Sequence, residues 1–516
     1  MSLEDLPLEI LSLILTQLGF YFNGTLYPDP RSVQYHDASL GTAQPSWYSL
    51  KLQPLLRLCL VSKRLCNVIQ PILYQEFMLG YGDSWRSESY YFPGRLVSFM
   101  RTVAQRWDLA ACVKRLHVHP YLLEATNYRP PGRAPQVWVR HMGFFCGPDI
   151  TDPGPSYPIL FPYISDEEAS EAIQAVSKLF RIQKRQRISA DDLLTLLIAA
   201  LPNLELCSLI LGPDPEGDIV RSAVLSAAAI PKLPIKTIEI SPVWGGTSED
   251  DLISLEKRFR QLFEFSPYLE TLRLDCCTET WQKEPVPSLP NLKNITLRSS
   301  CLTNIGLDKL LSSCKALERF TYESLSSIRS SKHFQMCDAI RSLSRFTTTL
   351  ESLELDLRKR GKTYLAPTMF NLQSFAALKH LLMNMDELHS TFWAGSSAGT
   401  DYSQVLVGFL PPNLVSLHLV GGIGDELPRL ESALLGLADA AFQGRFQSLR
   451  EIKWNQSERL NDEDAILSSF ADTKVIFIYH SWPRSGYSSP RPNFLDPPPE
   501  QDWNNQGLPD ETDPDL

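Results

Sequence analysis

Apolar positions fall into two regimes along this chain. In the larger one, a short unit recurs in which apolar residues sit at positions one, four and six. Its clearest copies are Leu269-Leu272-Leu274, Leu292-Ile295-Leu297, Leu350-Leu353-Leu355 and Leu414-Leu417-Leu419. Looser copies are Leu204-Cys207-Leu209, Ile235-Ile238-Ile240, Leu317-Phe320-Tyr322, Leu378-Leu381-Met383 and Leu449-Ile452-Trp454, with an outlier at Val113-Leu116-Val118. From Leu204 to Leu449 there are eight steps of 23 to 36 residues. The last two apolar positions alternate with period two, which predicts a strand in each unit. Most units follow a Pro or Ser turn, and helical patterns lie between them. Ser189-x-x-Asp192 and Ser248-x-x-Asp251 have the form of a capping box. Leu252, Leu255, Phe259, Leu262 and Phe263 keep helical spacing, and Asn461-Asp462-Glu463-Asp464 puts acid at a helix start.

One strand and one helix cannot bury their apolar side alone, so units of this kind stack on their neighbours. The expected class is α/β: an irregular leucine-rich-repeat solenoid, or horseshoe. The alternative is an ordinary α/β domain with Leu-rich strands.

The second regime is N-terminal. From Leu8 to Leu18, seven of eleven residues are apolar, too many for one helical stripe. Pro7 suits a first helical turn, Glu9 the positive end of the dipole and Gly19 a stop. Leu55, Leu56, Leu58, Cys59 and Leu60 predict a second helix. Ser62 predicts the cap of a third, carrying Leu65, Val68, Ile69, Ile72 and Leu73. Residues 3–18 and 54–78 together approach the ~40 residues below which a unit rarely stands alone. Their surplus apolar surface therefore needs the rest of this chain or another protein.

Leu6-Pro-x-Glu-Ile-Leu-x-x-Ile14-Leu15, followed by Leu56-x-Leu-x-x-Val61-Ser62-Lys63-x-Leu65, resembles an F-box. In that family a three-helix module docks on a Skp adaptor and through it joins a cullin-RING ubiquitin ligase. With the repeats, the chain is similar to leucine-rich-repeat F-box proteins, and its Pro-rich insertions to those of fungal members. The resemblance implies a substrate receptor whose repeats bind a target protein, with no catalysis and no cofactor of its own. It assigns adaptor contacts to Leu6, Pro7, Glu9, Ile10, Ile14, Leu18, Leu56, Leu58, Val61, Ser62 and Leu65. The sequence departs from the family in one respect: F-box helices one and two are usually joined by a few residues, and here 20–53 intervene. The alternative is a non-ligase interaction scaffold with a degenerate F-box whose helices cap the solenoid and pack near Leu96 to Trp107.

The expected organisation is a module at 1–78 with an inserted loop at 20–53, a solenoid at 79–480 with a Pro-rich loop at 127–162, and a disordered Pro-rich acidic tail at 481–516. Leu96, Phe99, Met100, Val103 and Trp107 predict one amphipathic helix. A net charge of −10 gives no general reason to expect nucleic acid. Ten scattered cysteines without a C-x-x-C suit a reducing compartment. No basic signal segment opens the chain and no apolar run nears ~20 residues, so the expectation is cytosol or nucleus, with no membrane partner.

Residues that invite chemistry have plainer readings. Gly395-Ser396-Ser397-Ala398-Gly399 matches a nucleophile elbow but lacks the strand and helix that motif requires. His117 and His119 share a strand face without further ligands at a recognisable spacing, so a solvated or hydrogen-bonded pair is expected. Gly421-Gly422-x-Gly424 lacks the Lys-Ser/Thr of a phosphate loop. The basic runs Arg358-Lys359-Arg360-x-Lys362 and Arg181-Lys184-Arg185-Arg187 have no interleaved aromatics.

Overall fold

The computed structural model describes residues 6–19, 47–77, 95–118, 190–211, 220, 222–227, 230–242, 252–278, 286–325, 334–357, 370–385, 401–421, 427–455 and 459–480. The chain divides into two compact units, one built mainly from residues 1–203 with 221–230, the other from 204–220 and 231–492. The architecture is mixed α/β.

The first unit begins with α1 (Leu8–Gly19), α2 (Trp47–Val61) and α3 (Lys63–Leu73). Leu11 and Leu15 of α1, Leu55 of α2, and Leu65 and Ile69 of α3 form a closed core, with Leu52, Leu58, Cys59, Val68, Ile72 and Leu73 packed against it. The turn between α2 and α3 is set by Ser62, whose side chain accepts from the Leu65 N–H at 3.2 Å. That bond satisfies a donor the helix cannot. Ser62→Ala is expected to cost about 1 kcal/mol, read as a lower melting midpoint of the N-terminal module; an unchanged midpoint would deny the cap its role.

Next come β1 (Glu76–Phe77), α4 (Arg95–Gln105), α5 (Trp107–Ala110) and β2 (Arg115–Val118). β1 and β2 pair in parallel, and Arg115 is ion-paired with Glu76. Phe99 of α4 stacks on Phe77 and Tyr74. The single helix expected from Leu96 to Trp107 is two helices. Arg106 leaves helical dihedrals (φ −121°, ψ 82°) while its guanidinium forks onto Asp108 at 2.6 and 2.9 Å. Trp107 is consequently exposed, not on the apolar stripe. This unit also holds α6 (Ala190–Ala199) and α7 (Ser222–Ala227). Asn203 donates to the Ala111 carbonyl at 2.7 Å.

His117 of β2 is buried, not solvated, and His119 lies outside the described residues. Burial pulls the His117 imidazole down to about 4. The unfolded chain, near the ordinary value of about 6.5, takes up the proton first. The folded state therefore keeps its full stability above that value. It loses roughly 3 kcal/mol as pH falls from about 6.5 towards 4. Melting midpoints against pH should show this slope in the wild type and a shallower one in His117→Leu; equal slopes would remove the assignment.

The second unit contains β3 (Leu206–Leu211), β4 (Thr237–Pro242), β5 (Ile253–Ser254), α8 (Leu255–Phe265), β6 (Thr271–Asp275), β7 (Cys277–Thr278), β8 (Asn294–Ser300), α9 (Asn304–Ser312), β9 (Arg319–Ser324) and α10 (Met336–Leu343). It continues through β10 (Ser352–Asp356), β11 (His380–Asn384), α11 (Ser403–Phe409), β12 (Ser416–Val420), α12 (Leu427–Phe442), β13 (Glu451–Asn455), α13 (Glu463–Ala471) and β14 (Ile476–His480). Ten strands lie side by side in the order β3-β4-β6-β8-β9-β10-β11-β12-β13-β14, all parallel. Each strand thus neighbours the strands before and after it in sequence, apart from the short pair β5–β7.

The register follows the apolar pattern. Cys207, Ile238, Leu272, Ile295, Phe320, Leu353, Leu381, Leu417 and Ile452 form one row of partners; Leu209, Ile240, Leu274, Leu297, Tyr322, Leu355, Met383, Leu419 and Trp454 form the next. All are buried, as is the leading residue of every unit from Leu204 to Leu449. Phe477 and Tyr479 of β14 extend both rows by a tenth strand. Asn291 and Asn413 reach back to the Pro267 and Ala376 carbonyls at 2.8 and 3.0 Å, tying a unit to its predecessor. Cys276 (φ 51°) and Ser299 (φ 46°) take left-handed backbone that L-residues seldom adopt. At Cys276 the chain turns from β6 into β7, which pairs with β5 and bridges to Cys301, and Ser299 lies where the register of β8 with β9 shifts.

Two boundaries differ from expectation. The second N-terminal helix starts at Trp47, seven residues inside the stretch expected to be loop, and runs through Pro54. The helix expected after Ser248 starts only at Leu255, because Ile253 and Ser254 are a strand. The expected Pro-rich loop and acidic tail, both basic runs and the Gly395–Gly399 motif lie outside the described residues, as do Gly422 and Gly424. No helix among the described residues is long and apolar enough to cross a membrane.

Candidate functional site

The three-helix module closes its core with one side of each helix and leaves apolar side chains on the others. On α1, Leu11 and Leu15 point inward, and at 100° per residue Ile10, Leu13 and Ile14 lie together on another side. They are 45%, 60% and 39% exposed, and Leu8 is exposed as well. On α2, Leu56 and Leu60 lie four residues apart; Leu60 is 87% exposed and the adjoining Val61 67%. Apolar groups this exposed at two neighbouring helices form the kind of surface that marks a partner site.

The residues implied by the resemblance divide accordingly. Ile10, Ile14, Leu56 and Val61 present apolar surface, and Pro7 and Glu9 are exposed beside them. Leu6 is half-buried, and its carbonyl accepts from the Arg64 guanidinium at 2.7 Å. Three differ from the part given them. Leu65 is 2% exposed and belongs to the module's own core, Leu58 packs against that core, and Ser62 serves as a helix cap. Leu18 lies in α1, with its side chain outside the described residues. The resemblance passed over Leu8, Leu13 and Leu60, although the helical wheel set by Leu11 and Leu15 turns Leu13 outward.

Basic groups outnumber acidic ones beside the apolar surface: Arg57, Lys63 and Arg64 against Glu9, all exposed. Cys59 in the last turn of α2 and Cys66 in the first turn of α3 are both half-buried. Burial, reinforced by the neighbouring thiol, pushes Cys59 up to about 11.

The second unit offers the polar side of its sheet. Alternation puts Arg273, Thr296, Thr321, Glu354, His418 and Lys453 on the side opposite the buried rows. Arg273 donates to Glu239 at 2.7 Å, Thr321 to Glu354 at 3.3 Å, and Lys453 to Glu451 at 2.9 Å. His380 meets Ser416 at 2.9 Å and His418 meets Glu451 at 3.1 Å. A nucleophile–base–carboxylate relay needs one imidazole between hydroxyl and carboxylate; here Ser416 and Glu451 contact different histidines. Burial lowers His418, outweighing its bond to Glu451, so the ring is neutral near neutral pH. Among the described residues no three His, Cys, Asp or Glu side chains are placed to hold a metal ion. The arrangement suits hydrogen-bonded recognition. No family model matches this chain, and neither does any curated protein.

Proposed function

We propose that this protein is a substrate-recognition subunit of a Skp–cullin–F-box ubiquitin ligase. Residues 1–78, with the insertion at 20–53, act as an F-box that docks on the Skp adaptor, and the stacked strand–helix units act as a leucine-rich-repeat solenoid whose polar sheet side holds the target. The observation that carries this reading is the uncovered apolar surface of Ile10, Leu13, Ile14, Leu56, Leu60 and Val61 on a module whose core is already closed. A helical cap for the repeats would bury those residues; Ile10 and Ile14 instead face outward, and among the described residues the core beneath them includes none from α4. Interface centres are apolar and ringed by polar groups, and Arg57, Lys63 and Glu9 supply such a rim. The protein performs no bond chemistry. It raises the effective concentration of a target lysine near a charged ubiquitin-conjugating enzyme.

Mixing the full chain with purified Skp adaptor should give a stoichiometric complex that co-elutes, and Leu6→Ala/Pro7→Ala should abolish it. Separate elution of the wild-type chain would leave a repeat scaffold with a degenerate F-box.

A further inference from the structure

We infer that Arg64 is a positioning residue for docking: reaching from the first turn of α3, it holds residues 6–10 at the start of α1 in the arrangement a partner meets. The role in docking rests on the proposed function; the clamp itself does not. Arg64 Nη2 donates to the Leu6 carbonyl at 2.7 Å, across 58 residues of sequence. Leu6 immediately precedes Pro7, whose carbonyl accepts from the Leu11 N–H at 2.9 Å as α1 begins. The acceptor therefore stands just outside the ladder of α1.

Packing alone does not fix this segment. Pro7, Leu8, Glu9 and Ile10 are exposed, Leu6 is half-buried, and Leu11 is the first buried residue of α1. The core thus grips α1 from Leu11 onward, and the Arg64 bond ties down what lies ahead of it. Residues 20–46 separate α1 from α2, and so long a connection constrains the start of α1 little. The place of the cation makes the same point. Lys63 and Arg64 open α3, at the positive end of its dipole, where a basic side chain is disfavoured. For Arg64 a charge-assisted bond to a carbonyl on another element offsets that.

A segment ordered in advance loses less freedom on docking. Without the clamp, only a fraction of molecules present Pro7, Leu8 and Ile10 ready beside α2, and apparent affinity falls by that fraction. The loss belongs to the association rate, because the contacts made once docked are unchanged.

The test measures association and dissociation of purified Skp adaptor with the full-length wild type, Arg64→Ala and Arg64→Lys, at about 0.1 M and about 1 M salt. Hydrogen exchange of the free chains is followed at the amides of Leu11 to Ile14. The expected result is that Arg64→Ala associates about tenfold more slowly at both salt concentrations, dissociates as the wild type does and exchanges faster at those amides. Arg64→Lys keeps the charge without the planar fork and should lie between. Equal association rates, a deficit that vanishes at high salt (a steering charge), faster dissociation (a direct contact) or unchanged exchange would each overturn the inference. A wild type that binds no adaptor overturns the proposed function instead, and the exchange comparison still decides whether Arg64 holds the segment. Arg64→Lys carries both readouts if Arg64→Ala folds poorly.

Discussion

Trp454→Ala is expected to lower the stability of the repeat unit by about 3–5 kcal/mol, the range for removing a fully buried large aromatic side chain. Trp454 is entirely buried on β13, in the row between Leu419 of β12 and Tyr479 of β14, with its ring 6.4 Å from that of Phe477. Neighbouring units share this row, so the cavity opens at the contact between strands and not within one of them. In a stack of nearest-neighbour contacts such a loss should fall first on the C-terminal units. Denaturant unfolding followed by hydrogen exchange checks both parts. The variant should lose protection at β13 and β14 before β6 to β9. Uniform loss along the sheet, or a change under about 1 kcal/mol, would show that the strands are not coupled through this row.

The second large effect concerns α1 and separates packing from docking within a few residues. Leu11→Ala removes a fully buried side chain and should cost about 2–5 kcal/mol of module stability. Ile14→Ala, 39% exposed, should cost far less, because much of its surface is already in water. If Ile14 is an interface anchor, its truncation should instead weaken adaptor binding by about 2 kcal/mol. Leu11→Ala should weaken binding only in step with unfolding. Melting curves and adaptor titrations on the two variants make the comparison. Equal loss of stability in both would mean that Ile14 supports the core.

The repeat pattern was legible because it reports the register directly. In every unit the apolar residues at positions four and six became buried partners of their neighbours. The tenth strand escaped because Lys474 stands where the other units have a leading apolar residue, although Phe477 and Tyr479 keep the rest. Pro-Asn-Leu at Asn203, Asn291 and Asn413 held a further signal: in each case the amide reaches back to an earlier carbonyl. Periodicity does not see such bonds, because they depend on a partner far off in sequence. The break at Arg106 was hidden because the apolar spacing continues to Trp107, while the backbone leaves helical dihedrals at Arg106 and Trp107 ends up exposed. On the candidate docking surface the motif spans the helices that carry the exposed apolar residues and leaves open which way each residue faces. Leu65 and Leu13 show this best: the first matches the motif and is buried, while the second matches nothing and is exposed.

Docking through the α1–α2 surface is decided by titrating purified Skp adaptor into the full chain and into Ile10→Ser/Ile14→Ser/Leu60→Ser, with melting curves on both. These three side chains are exposed and make little of the module's core, so the variant should melt as the wild type does. The expected result is a one-to-one complex for the wild type and an affinity at least about 100-fold lower for the variant. Equal affinities, or no binding by a correctly folded wild type, would contradict adaptor docking at this surface.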